Sequence, residues 1–321
     1  MENQPAATVR VLIRNLEADT SRLEFSDFSI EELNAARWEA AREFFPNAYR
    51  DEWVLRRDYT TIPPVEENWS GFGAIPFDVE DLLLLLRLYR PGDLAFAGMH
   101  IQTQKNSSRQ YPYRVISELV SGYSTRPYRF NQADCHPWEA FEAPLRTSPQ
   151  WASQWFNVSR RFFLYGGSKE FNPNFQNDVD RVIDYTTALE AAVVPESDFV
   201  SRRLRERASV LLGLQGDIER VKKKLLGDMY GIRSTLVHGS SLEERQMALL
   251  RDNDQWLAFE QLVRDVMVAA LRNVPADETG RKSYLTSVYD LSDKERADKL
   301  RQDFRALKSD EVKQGLLRDL K

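Results

Sequence analysis

Apolar and polar residues alternate along 7–14 (ATVRVLIR) with the period of a half-buried strand, and 51–61 and 94–104 (LAFAGMHIQTQ) repeat the pattern. Helical signals fall between these runs. Ser29 and Glu32 form the S-x-x-E signature of a capping box ahead of EELNAARWEAAREFF, and Asp78 stands where it can cap a leucine-rich helix that stops near Pro91 and Gly92. Residues 1–147 are therefore expected to form a mixed α+β domain of open role.

Beyond Pro149 the period changes from two to that of a helix, and five helical segments are predicted. Trp151, Trp155, Val158 and Phe162 recur at helical spacing before Gly166 and Gly167, which are expected to end the first segment. The second, about 177–193, sets Val179, Val182, Thr186, Leu189 and Val193 on one face. The third covers about 198–213. The fourth runs from the N-cap candidate Asp217 to Gly239, a good left-handed cap. The fifth opens with a second capping box, Ser241 with Glu244, and carries Trp256, Phe259, Val263, Val266 and Ala270 along one stripe. Amphipathic helices joined by short loops pack most economically as an antiparallel bundle, expected over 148–276. A charged helical tail is expected over 277–321, with Ser292 and Glu295 capping one helix and Ser309 starting another.

Composition narrows the classes. Hydrophobic residues at 42% and charged ones at 29% are those of a globular core with a solvated surface. The net charge of −5 means that any nucleic-acid surface must be local. The single cysteine, Cys135, excludes an internal disulfide and a multi-cysteine zinc site, and points to a reducing, cytoplasmic setting. The first residues lack the basic and apolar regions of a secretory signal, and the one membrane-like run, LLLLLRLY at 82–89, is interrupted by Arg87 far below spanning length.

The stretch 230–239 (YGIRSTLVHG) places a guanidinium, Arg233, and an imidazole, His238, at the end of a predicted helix. Five residues turn about 140° around a helix, so the two do not share one face; Arg233 must reach around, or two copies must meet. Together the pair can move protons and stabilise phosphate charge without a metal. An Arg-x4-His spacing by itself is common by chance, and the same residues can serve as a structural ion pair and a helix cap.

Three further blocks precede this motif in a fixed order: WFNVSRRFF (155–163), VIDYTTALEAAV (182–193) and SRRLRERASVLLG (201–213). With MYGIRSTLVHG (229–239) they make the region 150–275 resemble the HEPN superfamily, and specifically its ApeA-like branch, in which a serine follows the arginine as Ser234 does here. The segment 81–94 (DLLLLLRLYRPGDL) is similar to the one preceding the domain in such proteins. The resemblance implies a four-helix bundle that dimerises so that two motifs line one cleft. It also implies a metal-independent endoribonuclease leaving 2′,3′-cyclic phosphate, with Arg233 and His238 as its catalytic pair, in an anti-phage or toxin–antitoxin setting with an antitoxin or defence-system partner. A non-catalytic HEPN assembly module is the alternative.

Supporting roles fall to Glu190, Tyr230 and Ser234. Glu190 lies near the apolar face of its helix and needs a cation, either Arg233 or Arg207. Tyr230 is one turn before Arg233. Arg202, Arg203, Arg205 and Arg207, with Lys222, Lys223 and Lys224, form a basic cluster suited to an RNA backbone, of which Arg203, Arg207, Lys223 and Lys224 are the contact candidates; such runs are more often solvated faces. His100 and His136 read as structural, and neither a phosphate loop nor a metal-binding motif is present, so no cofactor or metal is expected.

Overall fold

The computed structural model describes residues 5–45, 48, 52–62, 74–103, 108–111, 126–168 and 176–289, so the expected helices beginning at Ser292 and Ser309 lie outside the described residues. The chain is mixed α+β and divides into two compact units between Ala140 and Phe141, a few residues before the expected boundary at 147.

The first unit is built on an antiparallel sheet. Strand β1 (Ala7–Arg14) pairs with β5 (Trp53–Tyr59) on one side and β6 (Ala95–Thr103) on the other, as the alternating runs predict. Two short strands, β3 (Arg22–Glu24) and β4 (Phe28–Glu32), and β7 (Ser108–Tyr111) complete the order β3-β4-β5-β1-β6-β7. A separate parallel pair joins β2 (Leu16–Glu17) to β8 (Tyr128–Arg129).

Two expected helix starts are corrected. Ser29 and Glu32 lie in β4 and pair with Arg56 and Trp53, so strand pairing wins over a local capping pattern. Helix α1 (Ala35–Ala41) instead takes its cap from Asn34, whose side chain accepts from the Arg37 amide. Helix α2 spans Ile75–Tyr89, with Asp78 in its first turn rather than at its cap. The arginine that interrupts its leucine run is buried: Arg87 donates Nε and Nη2 to the Leu94 carbonyl at 2.9 and 2.6 Å. Among the described residues no helix is long and apolar enough to cross a membrane. Helix α3 (Cys135–Arg146) spans the division between the units; burial pushes the Cys135 thiol up to about 11.

The second unit is helical: α4 (Gln154–Ser168), α5 (Gln176–Val193), α6 (Val200–Leu211), α7 (Gly216–Val237), α8 (Glu244–Arg251), α9 (Asn253–Asn273) and α10 (Glu278–Tyr289). Helix α5 packs against α4, α6, α7 and α9, and α7 also against α6 and α9. The predicted stripes of α5 and α9 are buried, including Val182, Leu189, Trp256 and Phe259. That of α4 is shifted: Phe156, Ser159 and Phe163 face inward, while Val158 is exposed. The two glycines do not end α4, because Gly166 is an approach point; a Cβ there would sit 2.8 Å from the buried ring of Tyr185.

The expected fifth helix is two. Asp252 breaks it by accepting from the amides of Asp254 and Gln255 at 3.0 and 3.1 Å, starting α9 anew, and the Trp256 indole N–H closes the corner on the Leu250 carbonyl at 2.8 Å. Its capping box is Glu243 with Gln246, not Ser241 with Glu244. In the bundle core Glu260 is ion-paired with Arg181 and accepts from the Tyr185 hydroxyl at 3.0 Å, so this buried charge is compensated within the fold.

Candidate active site at the end of the α7 helix

Helix α7 ends in a Schellman motif. The Gly239 amide donates to the Leu236 carbonyl and the Ser240 amide to the Thr235 carbonyl, both at 2.9 Å, with Gly239 at φ +72°. Asp217 occupies the first turn of the helix rather than its cap, which is Gln215. The closing turn fixes the backbone of His238, whose amide reaches the Ser234 carbonyl at 3.2 Å while the residue is exposed. A second tie holds the same turn. Thr235 Oγ1 donates to the Gly231 carbonyl and accepts from Gln246 Nε2 of α8 at 3.2 Å, and Arg245 of α8 pairs with Asp228 at 3.4 Å. Thr235 and Gln246 were not expected at the site; the E-x-x-Q spacing of 243–246 signals the helix start that carries Gln246, and nothing local signals Thr235.

One turn and a half inward, Arg233 Nη2 meets Glu190 Oε2 of α5 at 3.4 Å, and both side chains are about four-fifths buried. The guanidinium carbon lies 5.6 Å from the centroid of the Tyr230 ring. Burial pushes the Glu190 carboxyl above its ordinary value, and the charge of Arg233 and the Tyr230 hydroxyl offset only part of that. Burial and the Glu190 charge likewise push the Tyr230 phenol up. Glu190 Oε1 and Arg233 Nε are buried without a hydrogen-bond partner among the described residues. The choice left open by the sequence is thus made: Glu190 is bound by Arg233, because Arg207 is taken by Glu196, with Nη1 and Nη2 on its two oxygens at 2.7 and 2.8 Å.

The structure brings Arg233, Tyr230 and Glu190 together and does not bring His238 to them; no hydrogen bond or ion pair joins His238 to Arg233 among the described residues. Five residues of helix separate the two by about 7.5 Å along the axis. Ser234 contributes its carbonyl to the helix end.

Three of the four contact candidates in the basic cluster are ion-paired. Arg207 is corrected as an RNA contact: it is 1% exposed and also bonds the Val193 carbonyl, which no nucleic-acid backbone can reach. Arg203 is paired with Asp198 at 2.6 Å, and Lys223 sits between Glu206 and Glu219 at 2.5 and 2.9 Å. Lys224 is exposed with no ion-pair partner among the described residues. Elsewhere His100 is buried against Phe44, consistent with a structural role. Among the described residues no group of His, Cys, Asp or Glu is arranged to hold a metal ion. An open cavity of about 520 Å³ in the first unit has Arg57 between Asp27 and Asp78, so the one cation among its described lining residues is already paired.

Comparison of the chain with family models, curated proteins and solved structures finds no match.

Proposed function

We propose that the helical unit is a HEPN-type bundle, formed chiefly by α4, α5, α7 and α9, and that the chain is a metal-independent endoribonuclease. The observation that carries this reading is the end of α7, where a part-buried guanidinium backed by a carboxylate and a phenol lies just inside an exposed imidazole on a rigidly capped turn. In the reaction the RNA 2′-oxygen attacks phosphorus as its proton leaves to a base, the P–O5′ bond breaks, and the departing oxygen takes a proton, leaving a 2′,3′-cyclic phosphate. His238 exchanges the protons and Arg233 stabilises the charge on phosphorus. Because the two groups lie apart on one helix, the working cleft is made by two copies, each supplying an Arg233 and a His238. Anti-phage defence or a toxin–antitoxin pair in the cytoplasm is the setting we infer, with an antitoxin or defence-system protein as the partner.

The test is incubation of wild-type and His238→Ala protein with total tRNA and a structured RNA in EDTA, followed by end-group analysis. Cleavage by wild type alone, leaving cyclic phosphate, is expected. Equal inertness of both proteins towards all RNAs, with folding and dimerisation intact, overturns it in favour of a non-catalytic assembly module. That second reading draws on the same geometry, since Glu190 already neutralises Arg233.

A further inference from the structure

Arg233 faces two competing anions if it handles a phosphodiester: the substrate and its own partner, Glu190. The ion pair between them is single and long, one Nη2 on one oxygen at 3.4 Å, whereas the neighbouring Arg207 holds Glu196 with two bonds under 3 Å. A bidentate arginine–carboxylate fork is strong and directional; a single 3.4 Å contact is not. The second Glu190 oxygen and the Arg233 Nε are both buried without hydrogen bonds among the described residues. Each side of the pair therefore keeps an unused bonding position at a cost in desolvation.

The surroundings of Glu190 leave it few other ways to balance its charge. From α7 it faces Arg233 and Tyr230. From α6, Arg207 is committed to Glu196 and to the Val193 carbonyl. From α10, Arg281 is committed to the Ala191 carbonyl and to Glu278. From α4 the Ser159 hydroxyl donates to the Ala188 carbonyl at 2.8 Å, and the charged α4 residues Arg160 and Arg161 are not among the groups that act on Glu190. Of the five charged residues of α9, the buried Glu260 and Arg264 are joined to each other, and Glu260 is joined to Arg181 much earlier along α5; Asp254, Asp265 and Arg272 are not among the charges that act on Glu190. If Arg233 turns to another anion, Glu190 is left in a part-buried place without a cation.

We propose that Glu190 is a displaceable counter-ion of Arg233: a tetrahedral oxyanion docking on the guanidinium takes the place of the carboxylate, and Glu190 takes up one proton from solvent as it is released. The inference rests on the reading of Arg233 as a phosphate-binding residue. No bond to phosphorus is involved; the change is carboxylate plus proton to carboxylic acid, coupled to anion binding. Glu190 is accordingly a gating and positioning residue. It keeps Arg233 oriented and silent until an oxyanion competes successfully, and the coupling makes anion binding stronger as pH falls.

The experiment uses sulfate, which does not titrate in the range examined, at constant ionic strength, with the full chain carrying His238→Asn so that the imidazole does not contribute. Binding is followed by the NMR shift of the Arg233 Nε–H from pH 5.5 to 7.5, and proton uptake by calorimetry in two buffers of different ionisation enthalpy. Sulfate affinity is expected to rise several-fold towards pH 5.5, with uptake of up to one proton. The Glu190→Gln substitution is expected to tighten binding at pH 7.5 about fivefold, the worth of one part-exposed ion pair, and to abolish both the pH dependence and the uptake. Unchanged affinity in Glu190→Gln, a pH dependence that survives it, or equal binding by Arg233→Ala overturns the proposal. Should Glu190→Gln fail to fold, the ¹³C titration of the Glu190 carboxyl with and without sulfate decides; an apparent pKa unmoved by sulfate overturns it. Absent coupling in a protein that cleaves RNA sinks this inference alone. Coupling intact in a protein that cleaves no RNA sinks the ribonuclease reading and leaves an anion-binding site.

Discussion

Two glycines of α7 provide a matched perturbation. Gly216, where the helix begins, has φ +58°, and Gly239, just past its end, has φ +72°; a Cβ added at either meets no atom within 4 Å. Alanine at either position therefore brings no clash, only the strain of an L-residue in the left-handed region, roughly 1–2 kcal/mol. Part of that is offset because alanine also restricts the unfolded chain, by roughly 0.4–1 kcal/mol. Each of Gly216→Ala and Gly239→Ala should thus cost about 1 kcal/mol, a shift of about 0.5 M in the urea midpoint at a slope of about 2 kcal/mol per M. Their effects on activity should differ. Gly239 donates one of the two bonds that close the turn under His238 and its left-handed backbone aims the other, from the Ser240 amide, so loosening it misplaces the imidazole, and displacements of about 1 Å can cost around a hundredfold in rate. Circular dichroism in urea and an RNA-cleavage assay on the same preparations are sufficient. Gly239→Asn, whose side chain tolerates the left-handed region, should recover most of both losses. Equal activity loss in the two alanine variants, or a stability loss above about 3 kcal/mol in either, would refute the reasoning.

Arg207→Ala should destabilise the helical unit by about 2–4 kcal/mol, because it strands Glu196 and the Val193 carbonyl in a buried site, as read by urea denaturation. Lys224→Ala should leave stability unchanged and lower the salt slope of RNA binding by about 0.7, one released counterion on a single strand; the reverse assignment of the two effects would restore Arg207 as a surface contact. Acid titration of stability separates the two α5-side carboxylates. Burial pushes Glu190 up with too little compensation, so its native state binds the proton better, and its contribution falls as pH rises from the ordinary carboxyl value through the native one. Burial also pushes Glu196 up, but Arg207, helped by Arg203, more than reverses it; its contribution is present above the ordinary value and lost as pH falls through the lowered one. Glu190→Gln should therefore remove a decline above the carboxyl range, and Glu196→Gln a loss below it, in unfolding free energies measured from pH 3.5 to 7. Superimposable profiles for Glu190→Gln and wild type would contradict the first.

What the chain discloses before folding follows the range of the interaction. Periodicity identified β1, β5 and β6 and the long helices of the second unit, because each reports a face repeated over many residues. The left-handed cap at Gly239 was legible for a different reason: its bonds run within six residues. The S-x-x-E signature at Ser29 failed because the strand ladder to Arg56 and Trp53 satisfies the same backbone from 21 to 27 positions away. Asp252 was passed over because the apolar stripe of α9 continues backward through Leu250, and only the side-chain bonds to two following amides reveal the break. The charges depend on neighbours on other helices, where sequence spacing says least. Arg207 and Lys223 look equally free in a basic run, yet a carboxylate eleven positions before one and another seventeen before the other neutralise both. The same rule governs the candidate site. Glu190 and Arg233 are 43 residues apart, and what makes the pair informative is its weakness relative to the two-pronged Arg207–Glu196 contact, a comparison that exists only once the ends of α5, α6 and α7 and the loop between α5 and α6 have been brought together.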